Sequence, residues 1–579
     1  MKKRYIIFNL LLFAISFTQA QDQIPPPVTS NNLKSALEDK NAVSGETYFR
    51  FNCASCHSME STTIGPKLGG ITKIWTDEKL IEFIKNPAKF IESGDQRALA
   101  LAKKYKLIMP GFEGFKDSEI KSIISYIKNE TQLKNISPPE IDVENDTSRK
   151  VRYANPVKVS KLRVELEDSF TIPSATSSNS SEINSLKPHP SNDGSLYVGS
   201  FRGIIYRVDN KEAIPFLDIN SFTNQLALVQ GSDIGLSSFA FHSDYLNNGL
   251  LYTAHAEKPQ DIPADYYYND SIKVEVQWVI TEWKIKNIAD SHFSGEKREL
   301  LRINMPSYLN GVKDLAFYPK AKIGDPDFGI LYISIGDGGA TVSGYPGLTH
   351  SVKSLLGTII RIDPLVTDNS NGKYSIPKHN PFLDDWILKA RKEIWAYGFH
   401  NPDKISWQET PRGAYMLITD RGLEGIEEIN YVGRGQDFGW NVREGRYVLP
   451  TNSTNYILSL SEERKVKLYN DPISQYDHTD GNAIIGGYVY EGSHDLLKDK
   501  YLFGDSATGR LFYLSLINYD QTIYELLINE KGASKRLKEF NPKFRLGFTI
   551  SYDSFNQNVY LLSREDGKVY KIVNANLEK

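Results

Sequence analysis

Gly194-Ser195-Leu196-Tyr197, followed at once by Gly203-Ile204-Ile205-Tyr206-Arg207-Val208, is the stretch on which the fold turns. Two short runs of aliphatic and aromatic residues, each opened by a glycine, are the mark of adjacent strands joined by a glycine-bearing turn. The first half returns as Gly249-Leu250-Leu251-Tyr252 and Gly329-Ile330-Leu331-Tyr332. The second returns as Gly357-Thr358-Ile359-Ile360-Arg361-Ile362 and Gly567-Lys568-Val569-Tyr570-Lys571-Ile572. Pairs of this kind spread over about 400 residues predict a β-propeller, whose radial sheets protect their own edges; a single β-sandwich, the other all-β arrangement, is shorter. Val559-Tyr560-Leu561-Leu562 and Val569-Tyr570-Lys571-Ile572 are placed to close the ring with strands near residue 160.

The whole chain has 579 residues, with 40% hydrophobic and 24% charged, ordinary globular usage. Lys+Arg (68) nearly balances Asp+Glu (71), without the basic surplus of a nucleic-acid binder. At the N-terminus Lys2, Lys3 and Arg4 precede an apolar run from Ile6 to Phe17, and Thr18-Gln19-Ala20 supplies small residues for cleavage. Residues 1–20 therefore read as a secretory signal peptide. The run is too short to span a bilayer, which takes ~20 apolar residues. No cysteine stands directly after it, so a lipid-modified N-terminus is not expected, and no later segment is long and apolar enough to cross. The expected product is periplasmic or secreted, with no membrane span.

An exported chain with two cysteines would ordinarily form one disulfide. Both lie in Cys53-Ala54-Ser55-Cys56-His57, the C-x-x-C-H of covalent haem attachment. Thiols one helical turn apart can add to the two vinyl groups of one haem, and the next histidine then lies under the iron. A redox dithiol would need a βαβ context, and zinc would need further ligands nearby; His57 is the only histidine before His189. The sixth ligand follows by elimination among five methionines. Met1 leaves with the signal, and Met59 is too close to His57 to reach the opposite haem face. Met109, in the loop Leu107-Ile108-Met109-Pro110-Gly111-Phe112, can approach from there, and His/Met ligation raises the potential.

Helical patterns frame both ligands. Ser44 is placed to cap a helix carrying Tyr48 and Phe51, and Thr76-Asp77-Glu78 opens another that ends before Pro87. A third starts at Asp117 and lines up Ile120, Ile123, Ile124 and Ile127 on one face. With Gly65-Pro66-Lys67-Leu68 and Ile124-Ser125-Tyr126-Ile127, residues 40–131 resemble a class I cytochrome c. Residues 132–158, with Pro138-Pro139 and an acidic, polar stretch, read as a linker, and 159–579 as the β domain.

That second domain resembles the soluble glucose/sorbosone dehydrogenase family. The matching stretches are Gly235-Leu236-Ser237-Ser238-Phe239-Ala240-Phe241-His242, Leu331-Tyr332-Ile333-Ser334-Ile335-Gly336-Asp337-Gly338-Gly339 and Leu356-Gly357-Thr358-Ile359-Ile360-Arg361-Ile362-Asp363-Pro364. Tyr397-Gly398-Phe399-His400-Asn401-Pro402, Glu428-Ile429-Asn430 with Asp437-Phe438-Gly439-Trp440, and Gly486-Gly487-Tyr488-Val489-Tyr490-Glu491-Gly492 follow in order. The resemblance implies an all-β six-bladed propeller after the all-α cytochrome, binding pyrroloquinoline quinone (PQQ) with calcium. Three positions depart from the family pattern. Asn310 stands where the general-base histidine is expected, and asparagine cannot accept a proton at neutral pH. Ala340-Thr341 replaces an Arg-Asn pair that contacts the quinone, and Glu491 replaces a cofactor-facing lysine.

Other residues are candidates for the missing chemistry. His350, His400 and His478 fall in loop-like stretches where a histidine beside a carboxylate can act as a base. His242 ends an apolar strand and reads as structural. Asp337 offers a carboxylate for calcium, although turn chemistry explains its motif equally well. Glu427 and Glu428 should point to opposite faces of a strand. Two functions are therefore expected. In the first, a quinohaemoprotein-type dehydrogenase oxidises a sugar or related alcohol or aldehyde and passes electrons to its own haem c, and thence to a downstream acceptor. In the second, a non-catalytic propeller binds a glycan or partner protein, and the haem is the only redox centre.

Overall fold

The computed structural model describes residues 40–54, 57–60, 65–105, 109, 111–139, 152–174, 180–229, 233–368, 371–385, 387–449, 469–517 and 520–578. The signal-peptide stretch, Cys56 and the middle of the expected linker, 140–151, lie outside the described residues.

The first domain is helical, with α1 (Lys40–Asn52), α2 (Asp77–Lys85), α3 (Pro87–Glu92), α4 (Gln96–Tyr105) and α5 (Asp117–Leu133). Thr76 caps α2, its hydroxyl accepting from Lys79 N, and Pro87 opens α3 where a missing N–H costs nothing. The predicted stripe of α5 is the core: Ile120, Ile123, Ile124 and Ile127 are all buried, against Phe49, Trp75, Leu80 and Phe90. Ser44 does not cap α1. The helix already runs from Lys40, which places Ser44 inside it.

The second domain is a propeller-like ring of sheets. Four of them are separate four-stranded antiparallel sheets. The first takes Ile183–Pro188, Leu196–Ser200, Ile204–Asp209 and Glu212–Asp218, and the second Leu236–Phe241, Leu250–Glu257, Val276–Ile285 and Gly295–Met305. The third takes Val312–Phe317, Leu331–Ile335, Thr358–Ile362 and Ile394–Tyr397, and the fourth Pro402–Thr410, Gly413–Asp420, Ile426–Val432 and Ser474–Asp477. The glycine-led runs at Leu196 and Ile204 form the central hairpin of the first sheet. Leu196 pairs with Val208 and Ser200 with Ile204, across a turn in which Gly203 takes a φ of 87° closed to most other residues.

Arg443–Glu444 and Tyr447–Val448 form a two-stranded ribbon, and the other strands form one nine-stranded sheet, in which Ala533–Lys535 pairs with Ile523–Glu530. Ile484–Val489, Lys500–Asp505, Arg510–Ser515 and Ile523–Glu530 lie on one side of it, and Phe548–Asp553, Asn558–Ser563 and Lys568–Leu577 on the other. Lys158–Thr171 joins them, parallel to Ile523–Glu530 and antiparallel to Lys568–Leu577, where Leu162 faces Leu577. The expected closure of the ring by both ends of the domain is thus observed. The innermost strands neighbour one another in a closed circuit: Ile183–Pro188, Leu236–Phe241, Val312–Phe317, Pro402–Thr410, Ile484–Val489, Phe548–Asp553 and back. Apolar side chains pack between sheets, with Tyr197, Phe239, Leu251 and Trp283 between the first two. Each such buried side chain contributes ~1.5–3 kcal/mol.

The two ends of the expected linker belong to the domains they meet. Ile136 is buried in the helical core and Arg97 donates to Pro139 O. Beyond the tether, Asp477 accepts from Tyr153 N (2.6 Å) and Ala154 N (2.8 Å), and Asp480 accepts from Arg152 (2.6 Å). Among the described residues no helix is long and apolar enough to cross a membrane.

Candidate functional site

The helical domain presents His57 in a frame suited to a haem. Its Nδ1 lies 2.8 Å from Pro66 O. A carbonyl can only accept, so Nδ1 carries the proton and Nε2 keeps its lone pair for iron. Burial lowers the pKa of this imidazole, although the Pro66 bond works the other way, so the neutral, metal-binding form is favoured. Gly65 lies directly against the ring: a Cβ there would fall 2.3 Å from His57 Cε1. Cys53 is half-buried at the end of α1. Met59 is a buried core residue, in keeping with its elimination as a ligand. Met109 is half-buried, in a loop pinned to α2 by Phe112 N donating to Ile84 O (2.9 Å).

In the ring domain a cavity of about 660 Å³, counted to its open rim, sits where the inner strands begin. Every inner strand contributes to its wall, through Asn184, Ser237, Lys313, Lys404, Ile485 and Thr549. Its charged lining is Asp233, Lys313, Asp403, Lys404, Arg421 and Arg564, two carboxylates among four cations. Asp233 is held by Lys313 (3.0 Å) and Arg564 (2.8 Å). Burial opposes its ionisation, but these cations outweigh burial and hold the carboxyl below the usual range. Beneath the cavity Asp314, fully buried, lies between Lys404 (3.7 Å) and Lys187 (4.0 Å). None of these residues was singled out by sequence. The one signal was a charge early in an otherwise apolar strand, as at Lys313.

Beside the cavity, residues far apart in the sequence meet. Asn310 Nδ2 donates to Asp337 Oδ1 (2.9 Å) and to His400 Nε2 (2.9 Å). His400 Nδ1 donates to Arg421 O (2.5 Å), so the imidazole is neutral with Nε2 as its acceptor. Its ring lies 4.3 Å from that of Trp440. Asn310, the departure from the family pattern, therefore touches one of the proposed substitutes. Asp337 accepts from Asn310, Gly339 N (2.8 Å), Trp440 Nε1 (3.3 Å) and Thr341 N (3.4 Å). Four N–H donors fill its four lone-pair positions, so this buried carboxylate does not fit a calcium ligand. Among the described residues no group of three or more His, Cys, Asp or Glu is arranged to hold a metal ion.

The other candidates lie apart. His350 Nε2 is 3.0 Å from Asp437 Oδ1, and His478 Nε2 is 2.9 Å from Glu427 Oε1. Burial lowers the pKa of His478, but the bond and charge of Glu427 overcome it and leave the pKa raised. Glu427 turns to His478, whereas Glu428 bonds Asn430 and Gly445, the divergence expected of neighbours in a strand. Ala340 is fully buried in an apolar cluster. Glu491 does not face the cavity. It follows the far end of Ile484–Val489, a strand whose start lines the cavity, and it pairs with Lys320 at 2.7 Å. The alternation of the strand and its ~3.3 Å rise per residue carry Glu491 about 20 Å from the mouth.

A family model described as Glucose / Sorbosone dehydrogenase matches residues 188–541, and one described as Cytochrome c matches residues 42–131. The HIPL2 protein of Arabidopsis thaliana is 29% identical over 332 residues, 51% of this chain and 45% of its own length. The Hedgehog-interacting protein of Mus musculus is 25% identical over 371 residues, 62% of this chain and 46% of its own length. This chain thus spans about half the length of the curated relatives it matches. A solved structure, the apo form of the soluble aldose sugar dehydrogenase from Escherichia coli, is 15% identical with a TM-score of 0.49, covering 72% of this chain and 99% of that one.

Proposed function

The chain belongs to the glucose/sorbosone dehydrogenase family, and on that premise we propose that it is an exported, haem-linked oxidoreductase. It oxidises a sugar or related alcohol or aldehyde at the mouth of the ring and delivers electrons to its own haem c, then to a downstream periplasmic acceptor. The ring is read as six blades. The four separate sheets are four of them, and the nine-stranded sheet is two more, joined where Lys158–Thr171 pairs on both sides. The domain bounds are 1–20 for the signal, 40–131 for the cytochrome, 132–158 for the linker and 159–579 for the ring.

The observation that carries the reading is the charge of the mouth: four cations around two carboxylates, in a cavity walled by all six inner strands. Such a lining fits PQQ, a tricarboxylate, which when bound supplies a two-electron acceptor for sugar oxidation. Lys313, Lys404, Arg421 and Arg564 would hold its carboxylates. His400 is the proton acceptor in this reading. It is neutral, its Nε2 accepts from Asn310, and its neighbour Asn401 lines the mouth. His478, with its raised pKa, suits that role less well. In the cytochrome, Cys53 and Cys56 anchor the porphyrin, and His57 and Met109 are the axial ligands. Tethering the two domains raises the effective concentration of the acceptor.

A second reading has its own support. Asn310 has no proton-accepting atom at neutral pH, and Ala340 is buried and apolar, which favours a ring that binds a glycan or partner protein without catalysis. Reconstitution separates the two. Haem-loaded protein mixed with PQQ, calcium and a panel of aldoses should show the absorption bands of reduced haem. No reduction with any sugar, together with no PQQ binding by titration, leaves the binding module.

A further inference from the structure

The chain enters the ring domain through a groove between the fourth sheet and the nine-stranded sheet. Val157 packs there against Tyr476 of the former and Phe512, Leu514 and Ile523 of the latter. The groove grips backbone as well as side chain. Asp477 Oδ2, on a side chain 1% exposed, accepts from Tyr153 N (2.6 Å) and Ala154 N (2.8 Å). Asp480 Oδ2 accepts from the Arg152 guanidinium (2.6 Å) and from Val157 N (3.1 Å). The Tyr447 hydroxyl, on the two-stranded ribbon, donates to Tyr153 O, and the two rings meet edge to face at 5.5 Å. Hydrogen bonds to ionised carboxylates are the stronger kind, so the end of the tether is fixed to the ring before the first strand begins at Lys158.

The grip lies at the end of the ring that carries the mouth. Asp477 stands opposite Ile426 and Asp420 opposite Glu428, so these strand ends meet where the chain runs on to Arg421 of the cavity wall. Glu427 ties the groove to that wall: its carboxylate accepts from Ile484 N (3.0 Å) and faces His478 (2.9 Å). Asp480 precedes Ile484 by four residues, at most ~14 Å of chain. At the other end of the tether, Pro139 O accepts from Arg97 of the helical domain (2.9 Å). Between the two fixed ends stand residues 140–151, which can span at most ~45 Å, a limit that release of residues 152–157 would raise to ~65 Å. We propose that Asp477, Asp480 and Tyr447 clamp the tether so that the mouth face of the ring is the docking surface for the chain's own haem domain. The three are positioning residues. The inference rests on the proposed function only for the electrons that cross this contact; the docking follows from where the tether is held.

The test uses full-length, haem-loaded protein, in which the haem quenches a fluorescent dye more strongly the nearer it lies. A cysteine for the dye is introduced either as Ala507→Cys, beside Ser506 of the cavity wall, or as Ser493→Cys, beyond Glu491 at the opposite end of the ring. Cys53 and Cys56 are taken up by the haem, so the dye reports from the new thiol, and neither quinone nor sugar is added. The dye at position 507 should have the shorter fluorescence lifetime. Asp480→Ala lengthens the free tether from twelve residues (140–151) to eighteen (140–157), which lowers the effective concentration of one domain at the other about two-fold. Quenching at position 507 should fall by about that factor, and exchange of the Val157 amide should quicken about 10-fold or more as its bond is lost. Tyr447→Phe, which removes one hydroxyl, should act in the same direction and carries the test if circular dichroism shows Asp480→Ala to be misfolded. Equal lifetimes at the two positions, or a shorter one at position 493, overturn the inference and spare the proposed function. Quenching at position 507 that neither variant lowers overturns the clamp. The expected lifetimes, together with no haem reduction by PQQ and any sugar, uphold the docking and remove the enzyme reading.

Discussion

Gly65→Ala tests the haem frame where the structure has no slack. The new Cβ would fall 2.3 Å from His57 Cε1 and 2.7 Å from Nδ1, against an ordinary contact of 3.4 Å or more. The ring must retreat by about 1.1 Å. An imidazole held by nothing else would swing aside at little cost, since it is a side chain with alternative rotamers. An imidazole bonded to iron has no such freedom, because ligand distances hold within ~0.2 Å. The same retreat would break the 2.8 Å bond to Pro66 O, whose loss typically costs ~10- to 100-fold in metal affinity. The variant should therefore mature with less haem, and the haem it holds should shift toward the high-spin form with an altered midpoint potential. Absorption spectra of the ferric and ferrous protein, with a redox titration, measure all three. A variant with wild-type spectrum, yield and midpoint would refute His57 as an axial ligand held in this frame.

Met109→Ala should abolish the weak sulfur-to-iron absorption band and lower the midpoint potential; an unchanged spectrum would dismiss Met109 as the sixth ligand. Asp233→Asn should destabilise the ring domain by roughly 1–3 kcal/mol at neutral pH, less than a fully buried pair because Asp233 is 30% exposed. Asp233 has a depressed pKa in the fold, so its contribution is present above the unfolded carboxylate value of ~3.9 and fades as the pH falls below it. Urea unfolding at pH 7 and pH 3 should show the gap between wild type and Asp233→Asn narrowing on acidification, and a constant gap would count against the ion pairs. Ile124→Ala, at a position 1% exposed, should cost the helical domain ~2–5 kcal/mol, read as an earlier loss of the haem Soret signal in denaturant, whereas an unchanged midpoint would remove Ile124 from the core.

Much of the fold is written in local pattern. The period of α5 names its four buried isoleucines because a helix packed on one side must repeat its apolar face every three or four residues. The glycine-led pairs around Leu196 and Ile204 name a hairpin because strand, turn and strand are contiguous in the chain. Where a boundary depended on a distant partner, local pattern misled. Ser44 looks like a cap, yet α1 starts a turn earlier, at Lys40. Glu491 looks like a cofactor contact until the direction of its strand carries it to the other end of the ring.

By itself the sequence determined the chemistry that adjacent residues can state: a haem-attachment motif, a helical domain, a repeating sheet and the places where the family's residues are missing. The tertiary structure alone decided what replaces them. Asn310, Asp337 and His400 come from separate segments, and they become one hydrogen-bonded group only when the third and fourth sheets stand side by side. Arg421 and Asn401 belong to separate segments of the chain. They come to share the wall of the mouth only because six inner strands converge there.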